Sequence, residues 1–219
     1  MTAKDEVLRY LGHRSQTLSP ELNALVDDCM VLLRRTAKPR HAVQILAIEV
    51  QADGVLLTDS GIFLPGQDLS YHLNGCGHAA LLAATLGVEV DNLLRRTETT
   101  DLTASLVLDA CATQYVEECC DRLEEELLRS AEGKSLTLRF SPGYGDLPLT
   151  VQPQLLALLN AQRSIGLTCT DRLILLPRKS VTALIGFSDR PTSKTAPCQT
   201  CANQSHCPYS KEVNACEHP

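Results

Sequence analysis

Ala42-Val43-Gln44-Ile45-Leu46-Ala47-Ile48-Glu49-Val50, followed by Asp53-Gly54 and then Val55-Leu56-Leu57, is the stretch that decides the fold class. Its first run is rich in branched side chains, which suit an extended and half-buried surface, and it predicts a strand. Asp-Gly is a tight-turn pair, so the two apolar runs are expected to fold back as an antiparallel hairpin. Upstream, Ser19 can cap a helix over Pro20–Arg35 with Pro20 in its first turn, and Leu22, Leu25, Val26, Cys29, Leu32 and Leu33 recur at helical spacing. Lys38-Pro39 ends it.

Downstream of Pro65-Gly66, Ala79 to Leu86 predicts a helix stopped by Gly87, and another is expected around Asp91 to Arg96. The longest element is a helix from Asp101, its cap, to the neighbourhood of Arg129. Leu102, Leu106, Ala110, Val116, Cys120, Leu123 and Leu127 mark its apolar side, and Glu117, Glu118, Asp121, Glu124 and Glu125 read as a solvated face. Leu136 to Phe140 is a short strand that enters a loop dense in glycine and proline, ending at Pro148. Pro153 to Gln162 is helical; Leu173 to Leu176 and Val181 to Phe187 are strands. This mixed order predicts an α+β fold: a single domain over 1–190 with a mixed, largely antiparallel sheet flanked by helices. Beyond Arg190 the composition turns polar and cysteine-bearing, so 191–219 reads as a Cys-rich tail.

The bulk composition narrows the function. A net charge of -6 argues against nucleic-acid binding, which needs clustered Lys and Arg. The polar opening from Met1 to Tyr10 has no signal-peptide core, and no apolar run is long enough to cross a bilayer. A cytoplasmic, membrane-free protein is expected. There thiols stay reduced, so the 10 cysteines are metal ligands or buried small hydrophobes rather than a disulfide framework.

Arg139-Phe140-Ser141-Pro142-Gly143-Tyr144 carries the chemistry. A strand delivers an arginine, whose planar fork suits a carboxylate, into a rigid loop. Gly143 lets the backbone approach a ligand closely, and Tyr144 can offer its ring to a flat one. A plain turn with a surface arginine is the alternative. The segment resembles the Arg-x-x-x-Gly-Tyr signature of the activation (reactivation) domain of cobalamin-dependent methionine synthase, in a stand-alone form. Leu176-Pro177-Arg178-Lys179-Ser180-Val181 is similar to that family's late Pro-x-x-Ser-Val-Ser segment. Patches from Glu6 to Gly12, from Gly75 to Gly87 and around Asp109-Ala110 resemble stand-alone members.

The resemblance implies a function. The chain would bind S-adenosylmethionine and support reductive methylation of cob(II)alamin, as part of a methionine synthase (methyltransferase) system in methionine biosynthesis. Arg139 would take the ligand's carboxylate, Pro142 and Gly143 would shape the approach, and Tyr144 would lie near the corrin. Ile185 and Gly186 match late adenine-side contacts and would act through their backbone. With no homocysteine, folate or cobalamin module in the sequence, the vitamin B12 cofactor is expected on a separate cobalamin-carrying methyltransferase, most simply a split methionine synthase. An electron donor such as flavodoxin or ferredoxin completes the set.

In the tail, Cys198-x2-Cys201-x5-Cys207-Pro208 with Cys216 has the spacing of thiolate ligands for zinc or an iron–sulfur cluster. His206 and His218 are alternative ligands. This leaves a second reading, a non-catalytic metal-binding interaction module. Cys76 and His78 could be half of a metal site, although a buried cysteine is the simpler reading. Gly75-x-Gly77-x-x-Ala80 only superficially matches a dinucleotide fingerprint, which disfavours an ordinary Rossmann-type methyltransferase.

Overall fold

The computed structural model describes residues 2–13 and 18–190, and their architecture is α+β as expected. The chain divides into two compact units, one built from residues up to Ala37 and Glu89–Tyr115, the other from Lys38–Val88 and Val116 onward.

The first unit is helical. Helix α1 (Ala3–Tyr10) opens with a reciprocal capping box between Thr2 and Asp5. Helix α2 (Pro20–Thr36) starts where the sequence indicates, the Ser19 hydroxyl accepting from the Leu22 amide. Helix α4 (Val88–Thr100) follows further along, and Asp101 then caps α5 (Leu102–Ser130) by accepting from the Ala104 amide at 2.9 Å; α5 belongs to this unit as far as Tyr115 and to the second from Val116.

The second unit carries the sheet. Strand β1 (Arg40–Gln51) pairs with β2 (Gly54–Leu57) as the expected hairpin, its turn at Ala52-Asp53 rather than Asp53-Gly54, and β2 pairs with β3 (Ile62–Pro65). Helix α3 (Gln67–His72) leads to β4 (Cys76–Thr85). The remaining strands are β5 (Ser135–Leu136) and β8 (Ser180–Ser188), with a separate small pair, β6 (Thr168–Cys169) and β7 (Leu175–Leu176). The main sheet has six strands in the order β3-β2-β1-β4-β8-β5, every neighbouring pair antiparallel.

Three expectations need correction. Ala79 to Leu86 is not a helix but most of β4, held between β1 and β8. Alternation explains it: Ala79, Leu81 and Ala83 face one core, while Ala80 and Leu82 face the other. A strand buried on both faces loses the polar alternation by which strands are recognised. On α5, Leu102 and Leu106 are exposed, whereas Val107, Leu108, Cys111 and Ala112 are buried. The predicted helix over Pro153–Gln162 is a 3-10 turn at Leu149–Val151, then α6 (Gln152–Leu158) and α7 (Ala161–Ser164), divided at Asn160 with φ +48°.

One sheet face packs against Leu69 of α3, Leu73 just past its end, and Leu155 and Leu156 of α6. The other packs Ala80, Leu82, Ala183, Ile185 and Phe187 against Leu127 and Ala131. Each fully buried leucine contributes about 1.5–3 kcal/mol relative to exposure, so the two layers fix the frame on which the Arg139 loop hangs.

Candidate functional site

Beyond β5 the chain stays against β8. The Thr137 amide donates to the Gly186 carbonyl at 3.0 Å, and Phe140 makes an isolated bridge to Leu184. Neighbouring residues along an extended chain point to opposite faces. Phe140 therefore joins the core that holds α3 and α6, while the Arg139 side chain reaches acids of α5.

Ser141–Tyr144 is a β-turn closed by the Tyr144 amide on the Ser141 carbonyl at 3.0 Å. Pro142 and Gly143 fill its centre, and Gly143 at φ +86° gives the type II signature. A Cβ on Gly143 would also press on Leu149 at 3.1 Å. The Gly143 amide donates to Leu147 O at 2.8 Å, and Leu147 donates back to Tyr144 O at 3.2 Å, which makes the loop a small hydrogen-bonded unit. Tyr144 is 39% exposed, and its ring stands edge-on to Phe140 at 5.3 Å.

Arg139 is the electrostatic centre. Its guanidinium donates to Glu124 at 2.5 Å, Asp121 at 2.9 Å and Glu117 at 3.0 Å. These acids sit on one stripe of α5, so the reading of that stripe as merely solvated is corrected. Burial alone would lower the arginine's pKa; Glu124, then Asp121 and Glu117, outweigh it and hold it above its ordinary value. Among the described ion pairs, one cation is shared by three carboxylates. A ligand carboxylate must share or displace these partners, whereas a cationic group is welcomed.

Ile185 and Gly186 lie inside β8, both buried. The Gly186 amide donates to Thr137 Oγ1 at 2.8 Å and its carbonyl accepts from the Thr137 amide, so its backbone is engaged within the sheet. A Cβ there would fall 2.6 Å from the Cys76 sulfur, so glycine is required by packing. The structure thus gathers Arg139, Pro142, Gly143 and Tyr144 on one loop and sets Ile185 and Gly186 in the strand beside it.

Cys76 is buried next to a bulge at Gly77, and burial pushes its thiol pKa up. Burial likewise pushes Cys111 and Cys120 to about 12, which keeps these thiols protonated. Among the described residues no group of His, Cys, Asp and Glu is arranged to hold a metal ion. Cys198, Cys201, Cys207 and Cys216 lie outside the described residues. No described helix is long and apolar enough to cross a membrane. Gly75 and Gly77 lead into a strand rather than a helix, which removes the dinucleotide fingerprint.

Sequence reasoning missed two further residues at this loop, His72 and Asp146. Asp146 bonds the first turn of α3, and His72 bonds the Leu138 carbonyl.

No family model matches the chain, and no curated protein does. Among solved structures the fold is similar to the MetH reactivation domain bound to AdoHcy, with a TM-score of 0.59 and 18% identity. The match covers 81% of this chain and 69% of that one. The likeness is one of fold.

Proposed function

We propose that this chain binds S-adenosylmethionine at the Arg139 loop and supports reductive methylation of cob(II)alamin on a separate cobalamin-carrying methyltransferase, as one part of a split methionine synthase. The observation that carries the reading is the loop itself: a type II turn with Gly143 at its tip, rooted on Arg139, in a fold similar to a reactivation domain solved with AdoHcy.

The residues fit such a ligand in their charges. Arg139 can orient a carboxylate through its planar fork. Glu117, Asp121 and Glu124 offset the ammonium and sulfonium charges that accompany it. Gly143 leaves room for close approach, and the exposed edge of Tyr144 offers a ring to a flat partner. S-adenosylmethionine, when bound, supplies the electrophilic methyl group. The protein's own work is positioning, which suits a site where no side chain needs to act as nucleophile. Ile185 and Gly186 support the loop from β8. In the tail, Cys198, Cys201, Cys207 and Cys216 are proposed to hold an iron–sulfur cluster or zinc, and an electron donor such as flavodoxin or ferredoxin serves the reduction.

Calorimetric titration of the full chain with S-adenosylmethionine tests the reading. Saturable binding, weakened in Arg139→Ala, is expected. No heat of binding from a folded protein would instead favour the metal-binding interaction module.

A further inference from the structure

We propose that α3 is a brace that sets the shape of the Arg139 loop, with Asp146 and His72 as its two positioning residues. Its functional consequence rests on the ligand-binding reading above, whereas its structural part does not. Asp146 belongs to the loop, yet its carboxylate bonds another element. Oδ2 accepts from the Gln67 amide at 2.6 Å and Oδ1 from the Asp68 amide at 3.1 Å. Those two amides open α3 and have no partner within the helix, so the carboxylate satisfies them and also meets the positive end of the peptide dipoles. Gly66 makes the approach possible: with φ +147°, a Cβ there would lie 2.6 Å from Asp146 Oδ1.

The other end of α3 holds the loop's opposite flank. His72, its last residue, donates from Nε2 to the Leu138 carbonyl at 2.8 Å. Its ring lies 5.0 Å from that of Phe140, which in turn contacts Tyr144. Leu69 and Leu73, both 0% exposed, root the helix in the core. Arg139 to Gly145 therefore lies between two anchors on one rigid element. The arrangement assigns a task to residues that contribute nothing to the charge of the ligand contacts.

Asp146→Asn is nearly isosteric but turns one acceptor into a donor that faces an amide donor, so one anchor is lost with little change in volume. Hydrogen exchange on the full chain, read by mass spectrometry, is the primary test. Loop amides of 139–148 should exchange about tenfold faster in the variant while β4 and β8 keep their protection. The Kd for S-adenosylmethionine, measured where the variant is folded, should rise about tenfold. Ile48→Val, a core change on β1, should move neither. His72→Phe keeps a ring against Phe140 and removes the donor, and should accelerate exchange at 137–140; it decides the matter if Asp146→Asn does not fold. Unchanged loop exchange in folded variants overturns the brace. Faster exchange with an unchanged Kd overturns the positioning role. A wild-type chain that takes up no S-adenosylmethionine sinks the ligand reading, while exchange still decides the brace.

Discussion

At the scale of single residues, Arg139 has a structural duty beside the one proposed for it. As the head of a Pro-Gly-Tyr loop it reads as a ligand contact, so its replacement by alanine is expected to weaken binding at little cost to the fold. Its three carboxylate partners change that expectation. Without it, Glu117, Asp121 and Glu124 lose the cation that they share. Arg139→Ala should therefore lower stability by about 1–2 kcal/mol, a figure already discounted for the exposure of Glu117 and Asp121. Urea denaturation checks it, and an unchanged midpoint would mean that water serves the acids adequately. The partnership was legible in principle: none of the three acids has a basic residue three or four positions away on α5. Such a stripe calls for a cation from elsewhere, but sequence spacing does not say which one.

His72 gives a second test. Burial pushes its pKa below the ordinary histidine value, against a smaller upward pull from the Leu138 carbonyl. In the unfolded chain it takes a proton near pH ~6.5, but in the folded protein only at lower pH. Between those values the unfolded state binds more protons, so stability is full above the unfolded pKa and falls as the pH drops through the folded one. His72→Phe should flatten this part of the curve. Equal pH slopes for the variant and the wild type, from urea midpoints, would remove His72 as the source.

Among the elements, β4 is the instructive one. Its Ala-Leu-Leu-Ala-Ala run has the composition of a helix, because alanine and leucine are the strongest helix formers. Pairing on both edges and packing on both faces override that preference, and the alanines suit the close approach of covering helices. The consequence is measurable. Ala80→Leu, which in an exposed helix would be close to neutral, should cost about 1–3 kcal/mol by overpacking the layer beneath Leu127 and Ala131. A thermal midpoint equal to that of the wild type would show slack in this layer. Elements decided by local chemistry were readable: the Ser19 and Asp101 caps and the Pro20 start fall where their residues indicate, and the expected hairpin forms with its turn one position earlier, at Ala52-Asp53. The α3 brace was not readable, because its bonds join residues 66 to 79 positions apart, where no local pattern survives.

At the scale of the whole chain, the fold class could be derived from the order of runs, and the Arg139 loop could be found from one short motif. The tail remains a matter of ligand chemistry. Purified without oxygen, the full chain is expected to carry metal on Cys198, Cys201, Cys207 and Cys216. Iron with matching sulfide would supply a low-potential electron route, and zinc would make the tail a clamp. Neither metal, even after reconstitution, would remove the site. One further property follows from the order of the main sheet, whose outermost strands are β3 and β5. The first has four residues and ends at Pro65, and the second has two. Rims this short offer little backbone for another chain to extend, so these borders of the described sheet are poor templates for the fibrous pairing that long open sheet borders invite.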